Sequence, residues 1–203
     1  MNANATPATL VPETIGAPYE GGHYGGQIRI GAGLYAIAWA PKAQGETKAV
    51  WLNSYTSVPG ATSCFDSAAN TAAMAAAGSP LGKWAQALTI NGHSDWCVPA
   101  RDVLELAYQH LKPSTEANSA TFRDGDNPSS VPAGYPYTRQ SPVQTAVSAF
   151  QKGQPEAFAE DWYWASTQYS GNRAWLQDFN YGSQSTNSKK AEGRCRAVRR
   201  FDL

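Results

Sequence analysis

Apolar residues recur along this chain with two different periods, and each period predicts its own kind of element. Gln27–Ile30 alternates polar and apolar, and Leu34–Ala40 carries Tyr35, Ile37 and Trp39 on one side. A period of two belongs to a strand with one buried face. Both segments are therefore predicted strands, and Val50-Trp51-Leu52 is a third that would close a small meander. Asp66–Ala77 is rich in alanine, opens on a capping residue and stops at Gly78, which predicts a helix. Ala100–Leu111 places Val103, Leu104, Leu106, Ala107 and Leu111 on one face and predicts a second helix, ended by Pro113. Between the two, Ser79-Pro80-Leu81-Gly82 reads as a chain break.

The second half is patterned differently. Ser114–Pro142 is polar and longer than ordinary connections, which marks it as functional or loosely ordered. Val143–Lys152 fits a short helix. After Gly153 come short strands with tight turns at Gly171-Asn172 and Tyr181-Gly182, and a last strand over Gly193–Phe201. Residues 1–26, rich in Pro, Gly and Ala and nearly uncharged, read as an extended N-terminal arm or linker, leaving 27–203 as one domain. Read in this order, the elements are two helices among short strands, tight turns and long loops.

Composition narrows the chemistry. The formal net charge is +0 and charged residues are 16% of the chain, so neither nucleic acid nor an anionic membrane is the expected partner. No apolar run approaches the roughly 20 residues of a membrane span, and Met1–Thr9 lacks the features of a secretory signal. His23, His93 and His110 are widely separated, no nucleophile elbow or phosphate loop occurs, and Cys64, Cys97 and Cys195 form no CxxC pair. No catalytic residue is assigned, and the expectation is a protein without enzymatic activity. Asp124-Gly125-Asp126-Asn127 offers oxygens that would suit calcium, but lacks the rest of an EF-hand loop; the alternative is an Asx-rich turn. The expectation is no cofactor and no metal site.

The 7 Trp and 10 Tyr are abundant for 203 residues. Several fall among Ser and Asn in the segment from Gln168 to Lys190, the combination that antibody paratopes use: rigid aromatic area beside adaptable hydrogen-bonding groups. Tyr169, Asn172, Arg173, Trp175, Asn180, Tyr181, Ser183 and Asn187 are the candidate ligand-binding residues.

Four separated pieces carry a family resemblance. Gly92-His93-Ser94-Asp95-Trp96-Cys97-Val98-Pro99 leads into the second helix; Tyr163-Trp164-Ala165-Ser166-Thr167 and Ala174-Trp175 follow; Arg196-Ala197-Val198-Arg199 closes the chain. In this order they resemble the Lcl C-terminal-like domain family over about residues 30–203. The sequence departs from that pattern at Cys97-Val98, where the family has Arg-Leu, at Ala100, where a helix-capping Ser or Thr is usual, and at Cys195, where an aliphatic residue is usual. The resemblance implies an α+β, C-type-lectin-like fold with two helices around small antiparallel sheets and long loops, and Asp95-Trp96, just before the second helix, places Trp96 to plug a helix–sheet junction. Gln154-Pro155-Glu156 resembles the Gln-Pro-Asp sugar-binding signature of C-type lectins, without its partner strand. Cys97 and Cys195 would lie on neighbouring segments, either as a disulfide or as two buried thiols. Arg194, Arg196 and Arg199 form either a basic binding stripe or ion pairs with Asp95, Asp102 or Asp178.

Phage proteins of this fold serve as receptor-binding tips, some of them diversified by retroelements that enrich Asn, Ser and Tyr codons. The resemblance thus implies a virion protein of the tail or tail fibre, made in the host cytoplasm, that recognises a bacterial cell-surface glycan or protein receptor. Its N-terminal arm would dock other tail or baseplate proteins, and the assembly would be a homo-oligomer, for which a trimer is the common phage arrangement. The alternatives are a baseplate or decoration protein that touches only virion partners, and an oxidase related to formylglycine-generating enzymes, which would need a copper-binding cysteine pair.

Overall fold

The computed structural model describes residues 10–121 and 123–203. In chain order the elements are β1 (Pro18–Tyr19), β2 (Gly22–Ile30), β3 (Gly33–Trp39), α1 (Lys42–Gly45), β4 (Glu46–Val50), α2 (Ser67–Ala76), α3 (Pro80–Ala87), α4 (Arg101–Leu111) and β5 (Ser130–Val131). A 3-10 turn over Ser148–Phe150 follows, then β6 (Trp162–Gln168), β7 (Arg173–Asp178), β8 (Gln184–Ser188), β9 (Glu192–Arg196) and β10 (Val198–Asp202). The fold is α+β. One sheet runs β1-β2-β3-β10, with β5 also on β2; the other runs β4-β9-β6-β7-β8. Pairing is antiparallel except for a parallel bridge between Tyr163 of β6 and Arg194 of β9.

The alternation along β2 and β3 does what the period of two demands. Ile28, Ile37 and Trp39 enter the main core against Val103, Leu104, Leu106, Ala107 and Leu111 of α4. On the opposite face Ala36 and Ala38 meet Tyr19 and Tyr24. Each large apolar side chain of α4 stabilises the fold by roughly 1.5–3 kcal/mol on burial. A second core, under α2 and α3, contains Trp51, Met74, Leu81, Val98, Trp164 and Cys195.

Several expectations are corrected. The boundary at residue 26 falls inside β2, which begins at Gly22, and Tyr19 and Tyr24 are buried. Apolar side chains at 19 and 24 thus bring residues 18–26 of the expected arm into the sheet; Met1–Thr9 lie outside the described residues. Ser79-Pro80 starts a helix instead of breaking one: the Ser79 hydroxyl caps α3 by accepting from Gly82 N at 3.1 Å, and Pro80 stands where a missing N–H costs nothing. The third strand ends at Val50 and pairs with β9, so no meander closes. The helix expected at 143–152 is only the turn at Ser148–Phe150. The last strand is two strands, because Ala197, bonded to both Gly45 and Ala40, passes the chain from one sheet to the other.

The long polar segment from Ser114 to Pro142 is pinned to the body. The buried Lys112 ammonium donates to Glu116 O, to Asn118 Oδ1 at 2.7 Å and to Pro142 O at 3.3 Å, and so holds both ends of the loop. Its middle is held by Asn127 Nδ2 donating to Asp102 O and by the Tyr137 hydroxyl donating to Glu105 of α4. Trp96 is buried with Ala40, Ile90 and Ala197 where the chain passes from one sheet to the other, with Trp84 and Leu88 from the end of α3 against it, and not against α4.

Candidate ligand-binding face

The face is assembled at the N-terminus of α4. Ala100 occupies the capping position and has no side chain to offer, yet the first N–H groups are not orphaned. Ala100 N donates to Ser67 Oγ, Arg101 N to Thr167 Oγ1 at 3.0 Å, and Asp102 N to Cys64 O. Acceptors from α2, β6 and the preceding loop thus replace the missing local cap. To supply its hydroxyl, β6 leaves its ladder with β7 between Trp164 and Gln168, and Ser166 N and Gln168 N donate to Pro99 O and Ala61 O instead.

This arrangement sets Arg101 beneath β7. Its guanidinium lies 5.4 Å from the Trp175 ring and is bonded to Asp102, while Arg123 from the long loop lies 5.9 Å from the same ring. Tyr169, 59% exposed, stands edge-on to Trp175 with centroids 5.4 Å apart. The tight turn between β6 and β7 fixes it there: Tyr169 N and Ser170 N donate to Arg173 O, and Ser170 Oγ donates to Asn172 Oδ1. Arg173 is exposed and donates to Thr186 O across the sheet. Half-buried Trp175 thus has guanidinium planes beside its π-face and a tyrosine at its edge, a stack worth roughly 0.5–2 kcal/mol per contact.

The β7–β8 turn lies at the other end of β7 from Tyr169. Asp178 accepts from Asn180 N and Tyr181 N, and burial raises its carboxyl pKa against the lowering by these two bonds. Gly182 has φ +83°, and a Cβ there would come within 2.3 Å of the Tyr108 ring, so the turn needs glycine. Tyr181 is 48% exposed, with its carbonyl accepting from Ser119 N; Asn180 and Ser183 are half-buried beside it.

Not every candidate joins this surface. Trp175 pairs with Thr186, so Asn187 and Ser185 point to the other side of β8. There they line a separate depression of about 240 Å³ with Lys48, Trp162 and Leu176. Tyr169, Asn172, Arg173 and Trp175 come together at one turn, Asn180, Tyr181 and Ser183 at the next, and Asn187 belongs elsewhere. Arg101 and Arg123 escaped the sequence reading, because nothing in their spacing ties them to Trp175.

The remaining chemistry-bearing groups are occupied. All three cysteines are free, so the disulfide alternative is not realised, although Cys97 pairs through its backbone with Val198, close to Cys195. Burial pushes the Cys97 thiol up to about 11 and the Cys195 thiol well above its ordinary value. The arginines form ion pairs, with partners mostly other than expected. Arg199 bonds Asp95, Arg194 bonds Asp161 and Glu46, and the buried Arg196 bonds Glu156; Asp102 pairs with Arg101. Asp124 accepts from Thr121 and from Gln184 N, and Asn127 Oδ1 accepts from Ser130 N, which is the bonding of an Asx-rich turn. Among the described residues no group of three or more His, Cys, Asp or Glu is placed to hold a metal ion, and no helix is long and apolar enough to cross a membrane. No model of a known protein family matches this chain, and no curated protein matches it either.

Proposed function

We propose that this chain is a binding module in which the Tyr169–Trp175 face, extended by Arg173 and Tyr181, grips a ligand on a bacterial surface. In this reading the body is a C-type-lectin-like domain related to the Lcl C-terminal-like family, carried on a phage tail fibre or tail tip. The observation that carries the proposal is the exposed Tyr169 ring stacked edge-on against half-buried Trp175, which is backed by Arg101 and Arg123. Aromatic and arginine side chains held on rigid strands are what recognition surfaces concentrate. The free thiols, held protonated by burial, give no support to the copper-oxidase alternative.

The test is adsorption of the purified protein to host cell envelopes. Trp175→Ala and Tyr169→Ala are expected to lose at least tenfold in binding while the circular dichroism spectrum is unchanged. Binding at wild-type strength by both variants refutes the assignment of this face. Protein that binds virions and never cells favours the baseplate or decoration alternative.

A further inference from the structure

We infer that the free edge of β10 is a self-complementary interface that pairs this chain with a second copy of itself. Among the described residues β10 is the last strand of its sheet, with β3 on one side and the single Cys97 bridge at Val198 on the other. The ladder fixes which backbone groups face β3. Ala40 N donates to Ala197 O and Leu203 N to Leu34 O, so the odd-numbered residues from 197 to 203 bond inward. The even-numbered residues bond outward. Val198 shows this directly, exchanging both of its bonds with Cys97 on the outer side. Arg200 and Asp202 therefore present N–H and C=O groups to the outside, and no backbone partner meets them among the described residues.

An open strand edge invites another strand unless its side chains prevent it. Charges of one sign would repel a second copy in every register. Here the outward positions carry opposite charges two residues apart: Asp202 is exposed, and Arg200, which bonds Asp66 through one guanidinium nitrogen and lies over the Tyr35 ring, keeps 30% of its side chain open to a second carboxylate. In an antiparallel pair about a two-fold axis at Phe201, Arg200 lies opposite Asp202 of the second copy, and Asp202 opposite its Arg200. Both are hydrogen-bonded positions, and cross-strand pairs of opposite charge favour pairing. The two Phe201 rings then meet at the axis in the closer, non-hydrogen-bonded position. The neighbouring registers fail. One sets Arg200 against Arg200 and needs the Val198 groups that Cys97 already occupies; the other sets Asp202 against Asp202.

Apolar surface flanks the edge on both faces. Ile30, Ile37, Phe65, Ala68 and Cys97 line a cavity of about 160 Å³ on the core side. Leu10, Val11, Tyr19, Phe201 and Leu203 line a depression of about 640 Å³ on the other, where Leu203 is 50% exposed. Five residues of strand edge bury less than the roughly 1,200 Å² of a standard interface, so a micromolar, concentration-dependent dimer is expected.

The experiment is sedimentation velocity on the full chain over about 1 to 500 µM, where mass action resolves such a dimer. Wild type is expected to shift from monomer to dimer. Asp202→Arg and Arg200→Asp are each expected to stay monomeric through like-charge pairs, and an equimolar mixture of the two is expected to dimerise, since every cross-strand pair is then opposite in charge. Asp202→Pro removes an outward N–H and none that faces β3, and is expected to be monomeric whether or not Arg200→Asp folds. Wild type that stays monomeric at every concentration overturns the proposal, even if it captures an extended peptide at this edge. Dimers of Asp202→Arg or Asp202→Pro as tight as wild type overturn it too.

Discussion

Glu105 sits in the middle of α4 with no exposed surface. One carboxyl oxygen accepts from the Tyr137 hydroxyl, and the other has no hydrogen-bond partner among the described residues. Burial raises its pKa from 4.5 to about 8; the Tyr137 bond and the nearby Gly125 N–H oppose this, and the carboxylates of Asp124 and Asp102 add to it. The fold thus accepts the neutral acid. Glu105 imposes no cost below pH 4.5, where native and unfolded chains both hold its proton. Stability then falls as pH rises toward 8, because only the unfolded chain releases the proton freely. At about 1.4 kcal/mol per pH unit the decline is about 3 kcal/mol between pH 5.5 and 8, and levels off above that. Half-buried His110, whose pKa burial lowers, acts in the opposite sense below about pH 6.5, so the informative quantity is the difference between wild type and Glu105→Gln. Urea unfolding at pH 5.5, 7 and 8.5 measures it. The amide keeps an acceptor for Tyr137 and cannot ionise, so the variant is expected to be the more stable protein at pH 8.5 and to lack this decline. Equal slopes for both proteins would refute the reasoning. Once the intrinsic base-catalysed rate is divided out, hydrogen-exchange protection over residues 124–137 is expected to fall at high pH in wild type and to hold in Glu105→Gln, since Tyr137 ties that part of the loop to α4.

Three further outcomes follow from the packing. Thr167→Val removes the acceptor that β6 lends to Arg101 N and is expected to cost about 1 kcal/mol in chemical denaturation, comparable to loss of a local cap. Arg196→Met leaves Glu156 and the Ala40 and Glu156 carbonyls without their buried donor, and is expected to lower stability by about 3–5 kcal/mol in the same assay. With every cysteine free, a reductant is expected to leave the melting temperature unchanged, and a thiol reagent is expected to label Cys195 only after unfolding.

Local pattern determined a good deal of this protein. The period of two in Gln27–Ile30 and Leu34–Ala40, the alanine run closed by Gly78 and the apolar face of Val103 to Leu111 each place their side chains on one side of the chain. Those elements form as the sequence predicts, because the period alone sets the element type, even though β3 is buried on both faces and α4 over most of its circumference. The exposed aromatics of the Tyr169 and Tyr181 turns were legible for a related reason: short turns rich in Ser, Gly and Asn have few ways to bury a ring. What the pattern misread were positions whose role depends on distant partners. Ser79-Pro80 breaks a chain or starts a helix according to what its hydroxyl and its neighbours meet. Ala197 looks like any strand residue, yet Gly45 and Ala40 make it a crossing point between sheets. Ala100 looks like a lost cap until Thr167 and Ser67 arrive from elsewhere. The gathering of Arg101 and Arg123 around Trp175, and the turning of Asn187 to the opposite face, depend on strand register and on a loop closing over α4. Contacts between residues dozens of positions apart exist only once the chain has folded, and no spacing within a segment encodes them.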